Sequence, residues 1–123
     1  MTLTARDEFR LAGVHPDLVR LVRRARDEGD FIITEGVRSE KRQRQLMIAG
    51  ASQTMNSRHL TGHAVDIAAL IDGEVRWDWP LYTRLSAAFK RASMVENVPI
   101  VWGGDWPTFR DGPHYELSRE VYP

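Results

Sequence analysis

Ser57-Arg58-His59-Leu60-Thr61-Gly62-His63-Ala64-Val65-Asp66-Ile67-Ala68 can be folded as a helix or as a turn followed by a strand. His59 and Asp66 are spaced so that a continuous helix would place them on one face. Gly62 interrupts that helix, and Ala64-Val65-Asp66-Ile67-Ala68 alternates as a strand does. On a strand Ala64, Asp66 and Ala68 share one face, while Val65 and Ile67 are buried on the other. Asp66 then stands between small side chains, with open space in front of its carboxylate.

Working outward, Ile71-Asp72-Gly73-Glu74 reads as a hairpin turn that continues into Val75 and Arg76. Asp78 or Trp79-Pro80 starts a long helix whose buried stripe is expected to be Leu81, Leu85, Ala88, Phe89, Ala92 and Val95. Ile100-Val101-Trp102 is a short strand closed by Gly103-Gly104, and Trp106, Pro107 and Phe109 fall in the next loop. His114-Tyr115-Glu116-Leu117 is a last strand, with His114 and Glu116 on one face and Tyr115 and Leu117 on the other. Upstream, Val14-His15-Pro16-Asp17 opens a helix carrying Leu18, Leu21, Val22 and Ala25, stopped by Gly29. His15 reads as a structural residue at its start. Phe31 to Thr34 is a strand, Glu35 to Arg38 leads out of it, and Ser39 caps a helix running to about Ala49 before Gly50. Residues 51–57 are small and polar, a loop. Helices and strands mix without regular β-α-β alternation, and the hairpin favours antiparallel pairing. The expected class is α+β, a mainly antiparallel sheet flanked by helices, in one domain over residues 1–123.

Bulk composition narrows the partners. Lys+Arg and Asp+Glu are both 17, so the net charge is zero, and the charged fraction of 28% belongs to an ordinary globular chain. A nucleic-acid binder would carry a basic excess. The Arg20–Arg26 run instead alternates with apolar residues, as a solvated helix face does. There is no cysteine, which removes disulfides, thiolate ligands and thiol nucleophiles. The first residues lack the apolar core of a secretory signal, and no run approaches a membrane span. Synthesis in the cytoplasm without a signal peptide is therefore expected.

Three of the four histidines lie in the opening stretch and in Asp111-Gly112-Pro113-His114-Tyr115-Glu116. His59, Asp66 and His114 are the side-chain types that hold Zn²⁺ in catalytic sites, where a fourth position is left to water. The same residues would also serve as a structural polar cluster. His63, by the strand alternation, points away from Asp66. Asp111 is either a turn aspartate or a carboxylate that takes a proton from a metal-activated water and returns it to a leaving amine. Arg38 is either a surface arginine or a guanidinium for a substrate carboxylate or carbonyl. Trp102, Trp106 and Phe109 either wall a groove or pack the core.

Ser57, His59, Gly62, Ala64 and Asp66 in this spacing resemble the first zinc motif of the bacterial and phage family of D-Ala-D-Ala carboxypeptidases and L-alanyl-D-glutamate endopeptidases. Asp111, Pro113, His114 and Glu116 resemble its second motif, and Trp102-Gly103-Gly104-Asp105-Trp106 is similar to the segment before that motif in the endopeptidase branch. Gly36, Arg38, Ser39 and Gln43 resemble its substrate-side arginine segment, and Val14 to Leu18 the opening helix; the likeness runs from about residue 9 to 117. The resemblance implies zinc on His59, Asp66 and His114, Asp111 as general base, and the small zinc-peptidase fold shared with the Hedgehog signalling domain. Arg38 is the implied catalytic-site arginine. Gln43, Ser57, Glu116 and Trp106 are lesser candidates for contacting substrate or orienting ligands. The implied substrate is the peptidoglycan stem peptide, cut between L-Ala and D-Glu by a phage or prophage endolysin. Such an enzyme would act on the cell wall after release by a holin-type route, as a monomer. Two alternatives stay open: a D-Ala-D-Ala carboxypeptidase of the same fold, and a non-catalytic zinc-stabilised binding module.

Overall fold

The structure is a computed structural model that describes residues 3–52 and 54–123. Met1, Thr2 and Gln53, the last within the expected 51–57 loop, lie outside the described residues. Four α-helices are described: α1 (Ala5–Arg10), α2 (Pro16–Arg26), α3 (Glu40–Ile48) and α4 (Trp79–Glu96). Five strands accompany them: β1 (Phe31–Glu35), β2 (Ala64–Ile71), β3 (Glu74–Arg76), β4 (Ile100–Trp102) and β5 (His114–Leu117). The sheet runs β1-β2-β5-β4, β3 pairs with the far end of β2, and every pairing is antiparallel. The α+β expectation holds.

The alternation read from residues 64–68 sorts the two faces. Val65, Ile67 and Ala69 of β2 join Phe31, Ile33, Tyr115 and Leu117 in one buried cluster with Leu18, Leu21, Val22 and Ala25 of α2 and Leu85, Phe89 and Ala92 of α4. Phe89 stacks on Tyr115 with ring centroids 3.8 Å apart. The opposite face carries Asp66 and His114, which sit directly across the β2–β5 ladder from each other. Two helices therefore cover one face of the sheet and leave the other for chemistry.

Helix ends follow local rules. The His15 Nδ1 accepts the Asp17 N–H at 3.1 Å ahead of Pro16, so the structural role expected of His15 is that of a cap. Ser39 caps α3 through the Arg42 N–H at 3.1 Å. Asp72 and Gly73, at φ 51° and 79°, make the tight turn between β2 and β3.

Three details differ from expectation. α1 was not anticipated, although Thr4 and Asp7 form a capping box. Asp7 is buried because its other oxygen accepts the Ile33 N–H at 2.8 Å, and Arg10 donates to the Ile33 carbonyl at 2.8 Å. α1 thus satisfies the outer edge of β1 at the point where its pairing with β2 shifts register. Val95 is 65% exposed, because the inward stripe of α4 runs through Tyr82, Leu85, Ala88, Phe89 and Ala92. Tyr82 is buried through its hydroxyl, which accepts from Ala69 N–H at 3.0 Å and donates to the Arg76 carbonyl at 2.8 Å. α2 ends at Arg26, three residues before Gly29.

Gly62 closes the 3-10 turn Arg58–Thr61 in the left-handed region, at φ 77°, and a Cβ there would stand 2.5 Å from the Gly13 carbonyl oxygen. Its own carbonyl accepts the His15 N–H at 2.8 Å. Gly62→Ala is expected to destabilise the fold by about 1–3 kcal/mol, from left-handed strain plus the steric clash. Denaturant titration checks this, and a loss below about 0.5 kcal/mol, the size of an unremarkable surface substitution, would mean the turn relaxes freely.

Candidate metal centre and cleft

Each member of the cluster reaches it from a different local structure. Asp66 and His114 are held by the β2–β5 register. His59 comes from the 3-10 turn, which starts where the Ser57 hydroxyl accepts the His59 N–H at 3.2 Å. The turn is tied to the segment after β1 by the Arg38 N–H, which donates to the His59 carbonyl at 3.0 Å.

The imidazoles are oriented by their outer nitrogens. His59 Nδ1 lies 2.8 Å from the Gly36 carbonyl oxygen, so that nitrogen carries the proton and Nε2 faces Asp66 Oδ1 at 3.2 Å. His114 Nε2 lies 2.9 Å from Glu116 Oε1, which turns Nδ1 towards the same Asp66 oxygen at 3.1 Å. The three inward atoms all lie within 4.8 Å of one another. Two imidazole lone pairs directed at a carboxylate repel unless a proton or a cation stands between them. The donor set therefore fits a metal ion: two neutral imidazoles, one carboxylate, and an acceptor behind each imidazole to fix its tautomer.

The electrostatics follow the same logic. Burial alone would raise the Asp66 pKa, but hydrogen bonds and charge from His114 and His59 outweigh it and hold the carboxyl far below its usual range. Burial alone would lower the His114 pKa, yet Asp66 and Glu116 raise it to about 9. Asp111 shifts the other way. Burial first, then the Asp66 charge, push its carboxyl up, against the opposing pull of His114, His59 and Arg38. A carboxylate tuned upwards is suited to hold a proton briefly.

An open cleft of about 680 Å³ passes over this cluster, lined among others by Glu35, Arg38, Ser57, Trp106, Phe109 and Asp111. Asp111 stands outside the three-residue group but within its field. Its loop is pinned from behind. Trp102 Nε1 donates to the Gly112 carbonyl at 2.7 Å, and the Asp111 N–H donates to the Gly103 carbonyl at 3.0 Å. A Cβ on Gly103 would strike the Asp111 carbonyl oxygen at 2.4 Å, which explains the Gly after Trp102. Trp102 is core, whereas Trp106 lines the cleft with its ring 5.1 Å from that of His114, and Phe109 lines it at 71% exposure.

Arg38 is more constrained than its sequence suggested. Its Nε and Nη2 grip Glu35 at 2.7 and 2.9 Å, Nη1 donates to Gln43 Oε1 at 2.7 Å, and Nη2 approaches Asp66 Oδ2 at 3.6 Å. Gln43 is fully buried and does not line the cleft; it ties Arg38 to Ser52 and to the Thr54 carbonyl. Glu35 was overlooked in the sequence. The available signal was an acidic residue three positions before Arg38 at the end of an apolar strand. His63 stays out of the cluster, with Nδ1 2.6 Å from the Thr61 hydroxyl and its ring beside His15.

A family model described as phage L-alanyl-D-glutamate peptidase matches residues 1–122. The L-alanyl-D-glutamate peptidase of Escherichia phage T5 is 32% identical over 121 residues, covering 94% of this chain and 88% of that protein. The peptidoglycan L-alanyl-D-glutamate endopeptidase CwlK of Bacillus subtilis is 34% identical over 101 residues, 72% of this chain and 60% of that one. The crystal structure of the L-Ala D-Glu endopeptidase ChiX of Serratia marcescens aligns with a TM-score of 0.94 at 47% identity, over 100% of this chain and 94% of that chain. The His-Asp-His cluster thus lies in a chain that belongs to the phage L-alanyl-D-glutamate peptidase family.

Proposed function

We propose that the protein is a zinc-dependent peptidoglycan endopeptidase that hydrolyses the L-Ala–D-Glu bond of stem peptides, as a phage or prophage lysis enzyme. The observation that carries this reading is the convergence of His59, Asp66 and His114 on the floor of an open cleft, with Asp111 lining the same cleft. The printed activities of the relatives from Escherichia phage T5, Bacillus subtilis and Serratia marcescens support the choice of bond.

His59 Nε2, His114 Nδ1 and an Asp66 oxygen would hold the ion, with Gly36 and Glu116 fixing the histidine tautomers. When bound, Zn²⁺ supplies Lewis acidity that polarises a carbonyl and makes water nucleophilic near neutral pH. Asp111 takes the proton of the attacking water. It delivers that proton to the D-Glu nitrogen as the carbon–nitrogen bond breaks, leaving L-Ala with a new carboxylate and D-Glu with a new amino group. Arg38, fixed by Glu35 and Gln43, presents positive charge to the cleft beside Asp66, where negative charge builds up on the reacting carbonyl. Trp106 walls the cleft against His114. Among the described residues no helix is long and apolar enough to cross a membrane. In this reading residues 1–123 form one catalytic domain, monomeric, made in the cytoplasm and released to the wall by a holin-type route.

Elemental analysis is expected to find close to one zinc per chain, and His59→Ala to lose it. Because a ligating imidazole nitrogen must be unprotonated, protons compete with the ion, and zinc affinity should fall as pH falls. A His59→Ala protein with full zinc content would overturn the ligand set.

Asp111→Asn should keep zinc and fold but lose on the order of 10²–10⁴ in rate. Arg38→Lys should lose about tenfold or more, since one ammonium cannot reach Glu35, Gln43 and Asp66 together, and a charge-assisted hydrogen bond contributes roughly 1.5–3 kcal/mol. Steady-state kinetics with parallel zinc analysis checks both. Zinc loss in Asp111→Asn would make Asp111 a ligand, and unaltered turnover in Arg38→Lys would leave Arg38 a purely structural residue.

Amino-terminal labelling of digested peptidoglycan should reveal new D-Glu termini. Free D-Ala without labelled D-Glu would make the enzyme a carboxypeptidase, and absence of any product would favour a binding module.

A further inference from the structure

Four arginines line the cleft, and three of them are already engaged. Arg38 is gripped by Glu35 and Gln43. Arg58 is buried and donates to the carbonyls of Leu117 and Tyr122. Arg119 reaches the Asn56 carbonyl at 3.3 Å and lies 3.8 Å from Glu116. Arg110 differs. Its Nε donates to the Gly104 carbonyl at 2.9 Å, and its guanidinium lies over the Trp79 ring, 4.6 Å from the centroid. Among the described residues its two Nη groups meet no acceptor and no carboxylate. Two supports hold the guanidinium in place, and its outer edge remains available. The preceding residue, Phe109, sits in the left-handed region at φ 51°, a strained turn of the kind that accumulates where a loop must aim a functional group.

The chemistry of the cleft gives this cation a purpose. Glu35, Asp66 and Glu116 in its lining are already paired with Arg38, His59, His114 and Arg119, which leaves Arg110 free to meet an anionic group of the substrate. The bond assigned above ends in the nitrogen of D-Glu, and the α-carboxylate of D-Glu is attached to the same carbon as that nitrogen. Asp111, the residue after Arg110, must come within hydrogen-bonding reach of that nitrogen. An arginine fork is the side chain best shaped to take a carboxylate through two parallel hydrogen bonds.

We propose that Arg110 receives a free carboxylate of the stem peptide on the D-Glu side of the scissile bond, and so selects acidic over amidated stems. The inference rests on the cleft being an L-Ala–D-Glu peptidase site, and it names the determinant of substrate choice there. The D-Glu α-carboxylate is the favoured source; a carboxylate further along the stem offers the same chemistry.

The test uses the zinc-loaded full chain and three synthetic stem peptides: one with both carboxylates free, one with the D-Glu α-carboxylate converted to carboxamide, and one with only the C-terminal carboxylate amidated. The wild type should favour the acid over the α-carboxamide by about tenfold or more in kcat/KM, the worth of a charge-assisted hydrogen bond. Arg110→Gln should erase most of that preference, chiefly through KM, and Arg110→Lys should recover part of it. Preference that follows the C-terminal carboxylate supports Arg110 as receptor and assigns the other source. Equal losses on all three peptides would overturn the inference and leave Arg110 as a loop brace. A second measurement separates this from the assigned bond. Calorimetric binding of the peptides to Asp111→Asn should show the same acid preference, lost in Asp111→Asn/Arg110→Gln. If no peptide is cut between L-Ala and D-Glu but that binding preference persists, the bond assignment fails and the carboxylate receptor stands. If the binding preference is absent or independent of Arg110, the receptor fails.

Discussion

One carboxylate oxygen of Asp66 faces two imidazole nitrogens, at 3.2 Å from His59 and 3.1 Å from His114, and the rest of the molecule is arranged to hold it there. Asp66 and His114 meet because they are paired across β2 and β5. A slip of β5 by one residue against β2 would turn His114 into the apolar core and bring Tyr115 to the cleft opposite Asp66. The core residues that specify the register therefore also specify the geometry of the candidate metal site. His59 completes the triangle from a turn that no strand pairing controls. Its position depends on the left-handed Gly62, the Ser57 cap and the Gly36 carbonyl behind the ring.

The sheet separates stability from chemistry. One face is closed by α2 and α4 over Phe31, Ile33, Val65, Ile67, Tyr115 and Leu117. The other keeps the ionisable groups, each with a partner that limits its freedom: Glu116 behind His114, Gly36 behind His59, Glu35 and Gln43 around Arg38. Such pre-set polar groups need little rearrangement when charge develops, which is where electrostatic catalysis gains most. α1 serves the stable side. By occupying the outer edge of β1 through Asp7 and Arg10, it satisfies the Ile33 backbone and blunts an edge strand that would otherwise invite pairing.

Arg38 shows how a resemblance in sequence can single out a residue and leave its contacts unspecified. As an isolated guanidinium it would be free to fork onto substrate. In the fold its Nε and Nη2 are taken by Glu35, so what reaches the cleft is positive charge beside Asp66 more than an open pair of donors. Arg110, unremarkable in the sequence, is a cleft-lining guanidinium held by the Trp79 ring and the Gly104 carbonyl, and among the described residues neither of its Nη groups has a partner.

What the chain's order of residues determined by itself was everything governed by local periodicity and short-range chemistry. The alternation at residues 64–68, the Asp72-Gly73 turn, the Ser39 cap, the structural place of His15 and the faces of β5 were all legible, and with them the α+β class and the candidate cluster His59, Asp66 and His114. Even α1 was announced by Thr4 and Asp7, a signal passed over because the helix is only one and a half turns long and has no apolar stripe of its own. Which side chains face one another across the sheet and the cleft was set by long-range packing. Val95 turned outward, and Tyr82 went inward because Ala69 and Arg76 offered its hydroxyl partners. A register shift in β1 also sets Glu35 opposite Asp66, a placement that its spacing from Arg38 does not contain. These outcomes depend on long-range packing and on competition among many possible partners for each polar group, and no window of neighbouring residues contains that information.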